Sequence, residues 1–148
     1  MVHTKRTAIT LSIALGVLTS ACATYPPYDQ HPYYLSHPRC PARTAEFNLA
    51  DAMCSAKPSV VAYFEALKRE IYDTWTLPPN LLPNRKVRVT MRIDTTGAVE
   101  CLSVDSDDAR GLASSVISAI EQADPLPAIP SDATCLSYIS IGATFSTQ

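Results

Sequence analysis

The sequence predicts an α+β domain in which two helices pack on one face of a three-stranded antiparallel sheet. Three observations predict it. Lys86 to Ile93 alternates apolar and polar residues without a break, the mark of a strand with one buried face. Two other stretches, from Val60 and from about Ala109, repeat apolar residues every three or four positions, the period of a helix with one buried stripe. The second of these stretches lies between the second and third strands. As a crossover it makes those two strands parallel and leaves room for the first between them, so the sheet order is 2-1-3.

Each element follows in order. Ser59 is placed to cap a helix whose face carries Val60, Phe64, Leu67, Ile71 and Trp75, with Lys68, Arg69, Glu70 and Asp73 opposite. Pro78 and Pro79 stop it. In the first strand Val87, Val89, Met91 and Ile93 point inward, and Lys86, Arg88, Thr90 and Arg92 point outward. Asp94-Thr95-Thr96-Gly97 is a turn, with Gly97 supplying a positive φ. The return strand, Ala98 to Val104, loses its alternation once, which predicts a bulge near Glu100 and Cys101. Ser106 to Asp108 precede the second helix, roughly Ala109 to Ala123, whose stripe is Leu112, Val116, Ala119, Ile120 and Ala123. The last strand runs from Ser137 to Phe145, with Ile139, Ile141, Ala143 and Phe145 on one face.

With 148 residues, 47% apolar and 18% charged, the chain holds one globular domain and an appendage, not a multidomain enzyme. A formal charge of −2 supplies no basic field to hold a nucleic-acid backbone, which excludes that class. Only 4 glycines leave no Gly-rich phosphate loop.

The first residues read as an export signal. Lys5 and Arg6 precede an uncharged apolar run, Ala8 to Leu18, too short to span a bilayer, and Thr19-Ser20-Ala21 precede Cys22. This arrangement resembles the lipobox of bacterial lipoproteins, in which the cysteine becomes the mature N-terminus and carries the lipid. The resemblance implies a signal peptide over 1–21, lipidation of Cys22 and, because Ala23 rather than Asp follows, the outer membrane. Residues 22–58 interleave proline with tyrosine, as in Tyr25-Pro26-Pro27-Tyr28 and His31-Pro32-Tyr33-Tyr34. Proline disfavours helix in its predecessor, so this segment is expected to be an extended tether, with a short helix near Thr44 to Met53. Its length of roughly 36 residues reaches at most ~120 Å. The domain itself is expected over 59–148. An exported chain with Cys40, Cys54, Cys101 and Cys135 suggests two disulfides. Three pairings are open; Cys40 with Cys54 and Cys101 with Cys135 is the one expected, because each pair lies within one region.

The chemistry-bearing residues assemble no catalytic set. No serine sits in a Gly-x-Ser-x-Gly elbow, and His31 and His37 lie in the tether rather than in the domain. His31, His37, Cys40 and Cys54 match no zinc spacing, and Asp105, Asp107 and Asp108 read as a helix N-terminus. No enzyme activity, metal or cofactor is expected. Lys86, Arg88 and Arg92 form a basic stripe on the outer face of the first strand, a solvated face or a contact for an acidic partner.

Taken in sequence, residues 60–146 resemble the C-terminal domain of TonB and TolA, proteins of the bacterial envelope. The features that carry the resemblance are the aromatic helix ending at Trp75, Pro78-Pro79, the strand Val87 to Ile93, Gly97-Ala98-Val99, Leu102-Ser103-Val104, Ser106-Asp107-Asp108, the helix ending at Ala123, and Pro125-Leu126-Pro127-Ala128-Ile129-Pro130. TonB and TolA reach the inner membrane through a hydrophobic helix and a long arm; this chain has a lipid signal and a tether instead. The resemblance implies a periplasmic protein-binding module whose partner, an envelope protein or peptide, adds a strand to the open edge. Ser137, Tyr138, Ile139, Ser140, Ile141, Gly142, Ala143 and Thr144 would be the recognition strand, and the same edge could pair two copies as a dimer. The other reading is a structural accessory lipoprotein that supports assembly of an outer-membrane or secretion complex.

Overall fold

The computed structural model describes residues 26–41, 49–106 and 111–147. The expected layers are present. Strands β1 (Lys86–Ile93), β2 (Val99–Ser106) and β3 (Ile141–Ser146) form an antiparallel sheet in the order β2-β1-β3. Among the described residues four α-helices accompany it: α1 (Pro32–Ser36), α2 (Leu49–Ser55), α3 (Pro58–Thr74) and α4 (Leu112–Ala123).

The core follows from the two periodicities. Val87, Val89, Met91 and Ile93 on β1 are fully buried, as are Leu112, Val116, Ile117 and Ile120 on α4. Full burial of each such side chain contributes roughly 1.5–3 kcal/mol relative to exposure. On α3 the buried residues are Val60, Tyr63, Leu67 and Ile71, while Phe64 is half-buried against the core. The helix begins one residue before the expected cap. Lys57 is its N-cap and Pro58 occupies N1, where a missing N–H costs nothing and φ is already helical. The bulge lies where alternation fails: Arg92 pairs with Cys101 and Ile93 with Val99, leaving Glu100 as the extra residue.

The hairpin turn is fixed from two sides. The Asp94 carboxylate accepts from the Thr96 amide at 2.8 Å and the Ala98 amide at 2.9 Å. Gly97 has φ +98°, and a Cβ there would overlap the carbonyl of Leu126. The expected cap residues Asp107 and Asp108 lie outside the described residues, and α4 has Gly111 at its N-cap.

Two expectations are corrected. The last strand begins later than its alternation suggested, because Ser131–Tyr138 is a 3-10 helix with a kink at Ala133. Ala133, Leu136 and Ile139 recur every three residues, which suits a 3-10 turn, and the first two are fully buried. A polar/apolar alternation over Tyr138 to Ile141 hid that period of three.

The disulfides pair across regions, not within them. Cys40 bonds Cys101 and Cys54 bonds Cys135, spanning 61 and 81 residues. The reason is that the described part of the Pro/Tyr segment is not a free spacer. It forms a 3-10 turn at Tyr28–Gln30 and then α1, and it packs against α4 and the edge of β2. Tyr33 and Tyr34 are buried in the core, with the Tyr33 hydroxyl donating to Asp124 at 2.9 Å. Prolines at 26, 27 and 32 are accommodated because Pro32 takes the first position of a helix rather than an interior one. Helix α2 covers Leu49–Ser55; the first residues of the helix expected from Thr44 lie outside the described residues.

Candidate functional site

The two outer edges of the sheet differ. In an antiparallel ladder, residues alternate between facing the partner strand and facing outward. On β2 the Leu102 amide faces outward, and it donates to the carbonyl of Pro38 at 3.0 Å. The next outward amide, that of Val104, interacts with the Tyr34 hydroxyl, and the Cys40 amide donates to the Ser103 hydroxyl at 2.9 Å. The Cys40–Cys101 disulfide fastens this cover. The β2 edge is thus closed by the chain's own N-terminal segment.

Along β3 no described residue pairs with the outer side. The Thr147 amide donates to the Arg85 carbonyl at 3.0 Å, and the register continues through Lys86 with Ser146 and Val87 with Phe145. By the alternation, Ile141, Ala143 and Phe145 bond to β1, and Gly142, Thr144 and Ser146 turn their N–H and C=O groups outward. All three are exposed.

Beside this edge lies a groove of about 460 Å³ between β3 and α3. Phe64, Leu67, Ile71 and Tyr72 of α3 form one wall, and Ile139 to Phe145 form the other. Ser55 also lines it. The lining is mostly apolar, and Tyr72, Trp75 and Phe145 are in ring contact with each other at 5.4–6.1 Å between centroids. Trp75 is oriented by its indole N–H, which donates to the Ser115 hydroxyl at 3.0 Å. A strand laid along β3 would bond its backbone to Gly142 and Thr144 and place every second side chain over this wall.

The sequence-predicted residues divide around this feature. Ile141, Gly142, Ala143 and Thr144 are in β3; Ile139 and Ser140 lead into it and line the groove. Ser137 and Tyr138 belong to the 3-10 helix, away from the edge. Of the basic stripe, Arg92 is engaged with Glu100 at 2.7 Å. Lys86 and Arg88 have no ion-pair partner among the described residues, and the Arg88 guanidinium lies across Gly142. Lys68 stands on the groove's helical rim, 3.9 Å from Glu65. The groove itself was not legible in the sequence. Phe64, Leu67 and Ile71 are on the apolar face read from the sequence and Tyr72 is not, but which strand they face depends on the sheet order and on the 3-10 helix before β3.

Four of the five cysteines are consumed in disulfides, His31 is buried with its Nε2 3.0 Å from the Ser118 hydroxyl, and His37 packs on the Tyr33 ring. Among the described residues no group of three or more His, Cys, Asp or Glu side chains is arranged to hold a metal, and no helix is long and apolar enough to cross a membrane. Cys22 lies outside the described residues.

The family model described as TonB C terminal matches residues 60–145, from the start of α3 to the end of β3. No curated protein and no solved structure matches the chain.

Proposed function

The chain belongs to the TonB C-terminal family, whose domains are protein-binding modules of the cell envelope, and from that premise we propose that it is a lipid-anchored periplasmic adaptor that recruits an envelope protein by strand addition at β3. One observation carries this reading: among the described residues one edge of the sheet is closed and the other is unpaired, and the unpaired edge runs beside an apolar groove. An edge left open without such a wall is an aggregation hazard that proteins usually blunt with charge or cover. Here the covering segment is spent on β2, and β3 is left with small or short residues, Gly142, Ala143 and Thr144, that let another backbone approach. Backbone pairing supplies affinity, and the groove selects the alternate side chains of the incoming strand. The lipid on Cys22 and the outer membrane are part of the proposal and rest on the Thr19-Ser20-Ala21-Cys22 sequence.

The test is affinity capture from detergent-solubilised envelope with the full chain as bait and Thr144→Pro as its comparison. Proline removes the outward amide of residue 144 without touching a donor used by β1. Thermal unfolding by circular dichroism checks that the variant folds. The proposal predicts a partner captured by the wild-type chain and lost by the folded variant. Equal capture by both places the binding surface elsewhere. A stoichiometric complex that forms with both and survives high salt points instead to a permanent structural role in an outer-membrane or secretion complex, and a second copy of the chain as the captured species identifies a dimer edge.

A further inference from the structure

The fold shortens the tether, and this has a consequence for where the groove points. Resting on the lipid-anchor reading above, we infer that the domain sits directly on the bilayer with the flank built from residues 26–39 nearest the headgroups and the β3 groove on the far flank, open to the aqueous compartment.

Among the described residues the first packed on the core is Tyr28, whose ring meets Tyr34 at 5.7 Å. From Cys22 to Tyr28 is six residues, which span at most about 22 Å however they are arranged. The chain beyond cannot lengthen this reach while folded. His31 and Tyr33 are held to Ser118 and Asp124, Pro38 is held to Leu102, and Cys40 is covalently fixed to Cys101. A domain of this size is about 35 Å across, so every part of it stays within about 60 Å of the anchoring membrane.

The attachment point also orients the domain. The Tyr28–Gln30 turn and α1 pack on α4, and residues 34–40 cover the outer edge of β2. The groove is formed by α3 and β3, at the opposite end of the order β2-β1-β3. The anchored flank carries Leu35, 62% exposed, and Arg39, whose guanidinium lies 3.3 Å over the Tyr34 ring. The partner class follows. The incoming strand approaches from the water side, presented by a soluble protein or by the periplasmic part of a protein that projects toward this membrane, and not by a segment lying at the surface of the same bilayer.

The inference is tested with the full lipidated chain in phosphatidylethanolamine/phosphatidylglycerol vesicles carrying a fluorescent acceptor on the headgroups. A donor dye is placed through Leu35→Cys or, separately, Thr144→Cys, with mass spectrometry confirming acylation of Cys22 and both disulfides. Energy transfer at least twofold stronger from position 35 than from position 144 is expected. A flexible insert of twenty Gly/Ser residues after Ala23 is expected to abolish that difference. Equal transfer from both positions in the acylated chain without the insert, or stronger transfer from position 144, overturns the orientation while leaving the lipid anchor intact. An unacylated Cys22 overturns the anchor reading and the orientation together.

Discussion

The amide of Leu102 donates to the carbonyl of Pro38 at 3.0 Å, so a residue from the N-terminal segment occupies the place a fourth strand would take beside β2. The Cys40–Cys101 disulfide lies next to this bond. Replacing both cysteines by serine is expected to lower stability by about 2–5 kcal/mol, because the cross-link closes a long loop in the unfolded chain. The readout is the denaturant midpoint together with hydrogen exchange. The Leu102 amide is expected to exchange faster in the variant, and the β1 amides are not.

Gly97 is the glycine that the hairpin cannot replace. Its φ of +98° and the Leu126 carbonyl against its α-carbon leave no room for a side chain. The Leu126 amide in turn donates to the Gly97 carbonyl at 2.9 Å, which ties the hairpin to the segment after α4. Gly97→Ala is expected to cost about 2–4 kcal/mol, measured by chemical denaturation. A cost under about 0.5 kcal/mol would show that the turn relaxes away from Leu126 freely.

Stability is expected to fall at alkaline pH through buried tyrosines. Burial, with a smaller contribution from the negative charge of Asp94, pushes the Tyr63 hydroxyl up to about 12, and that hydroxyl donates to the Pro127 carbonyl at 3.0 Å. An unfolded tyrosine ionises near pH ~10. The unfolded state therefore loses its proton first, and the stabilisation present below pH ~10 is lost as pH rises toward 12. Burial, followed by the hydrogen bond to Asp124, raises Tyr33 in the same direction. Tyr63→Phe is expected to flatten part of the decline in unfolding free energy between pH ~10 and 12 and to leave the neutral-pH slope unchanged.

The chain's one tryptophan packs behind the groove lining, against Tyr72 and Phe145. Trp75 touches Phe145 at 5.4 Å between ring centroids, and its indole is held by Ser115. A strand seated in the groove would contact Tyr72 and Phe145 and is expected to change Trp75 emission through those two rings. Ser115→Ala leaves the indole N–H unpaired and is expected to cost about 1–3 kcal/mol in a thermal or denaturant melt.

The fold was largely legible because its main signals are local. Strict alternation marked β1, the loss of alternation at Glu100 marked the bulge, and the position of α4 between strands dictated the sheet order. What was not legible depended on contacts between distant segments. Tyr33 and Tyr34 read as spacer residues because their prolines suggest extension; only the surface of α4 and the edge of β2 make a folded segment there favourable. The cysteine pairing followed from that docking, so nearness in sequence gave the wrong partners for Cys40 and Cys54. The start of β3 was misplaced because Tyr138 and Ser140 alternate with Ile139 and Ile141 while Ala133 and Leu136 obey a period of three. Of the candidate site, the edge residues Ile141 to Thr144 and the apolar face with Phe64, Leu67 and Ile71 were visible in the pattern, but not Tyr72 or the facing of that helix toward β3.

The measurement that tests strand addition most directly is residue-resolved hydrogen exchange on the captured complex against the free chain. The account predicts new protection at the amides of Gly142, Thr144 and Ser146, with those of Ile141, Ala143 and Phe145 already protected by β1 and little changed. Protection confined to another face, with Gly142 and Thr144 exchanging as fast as in the free chain, would contradict it.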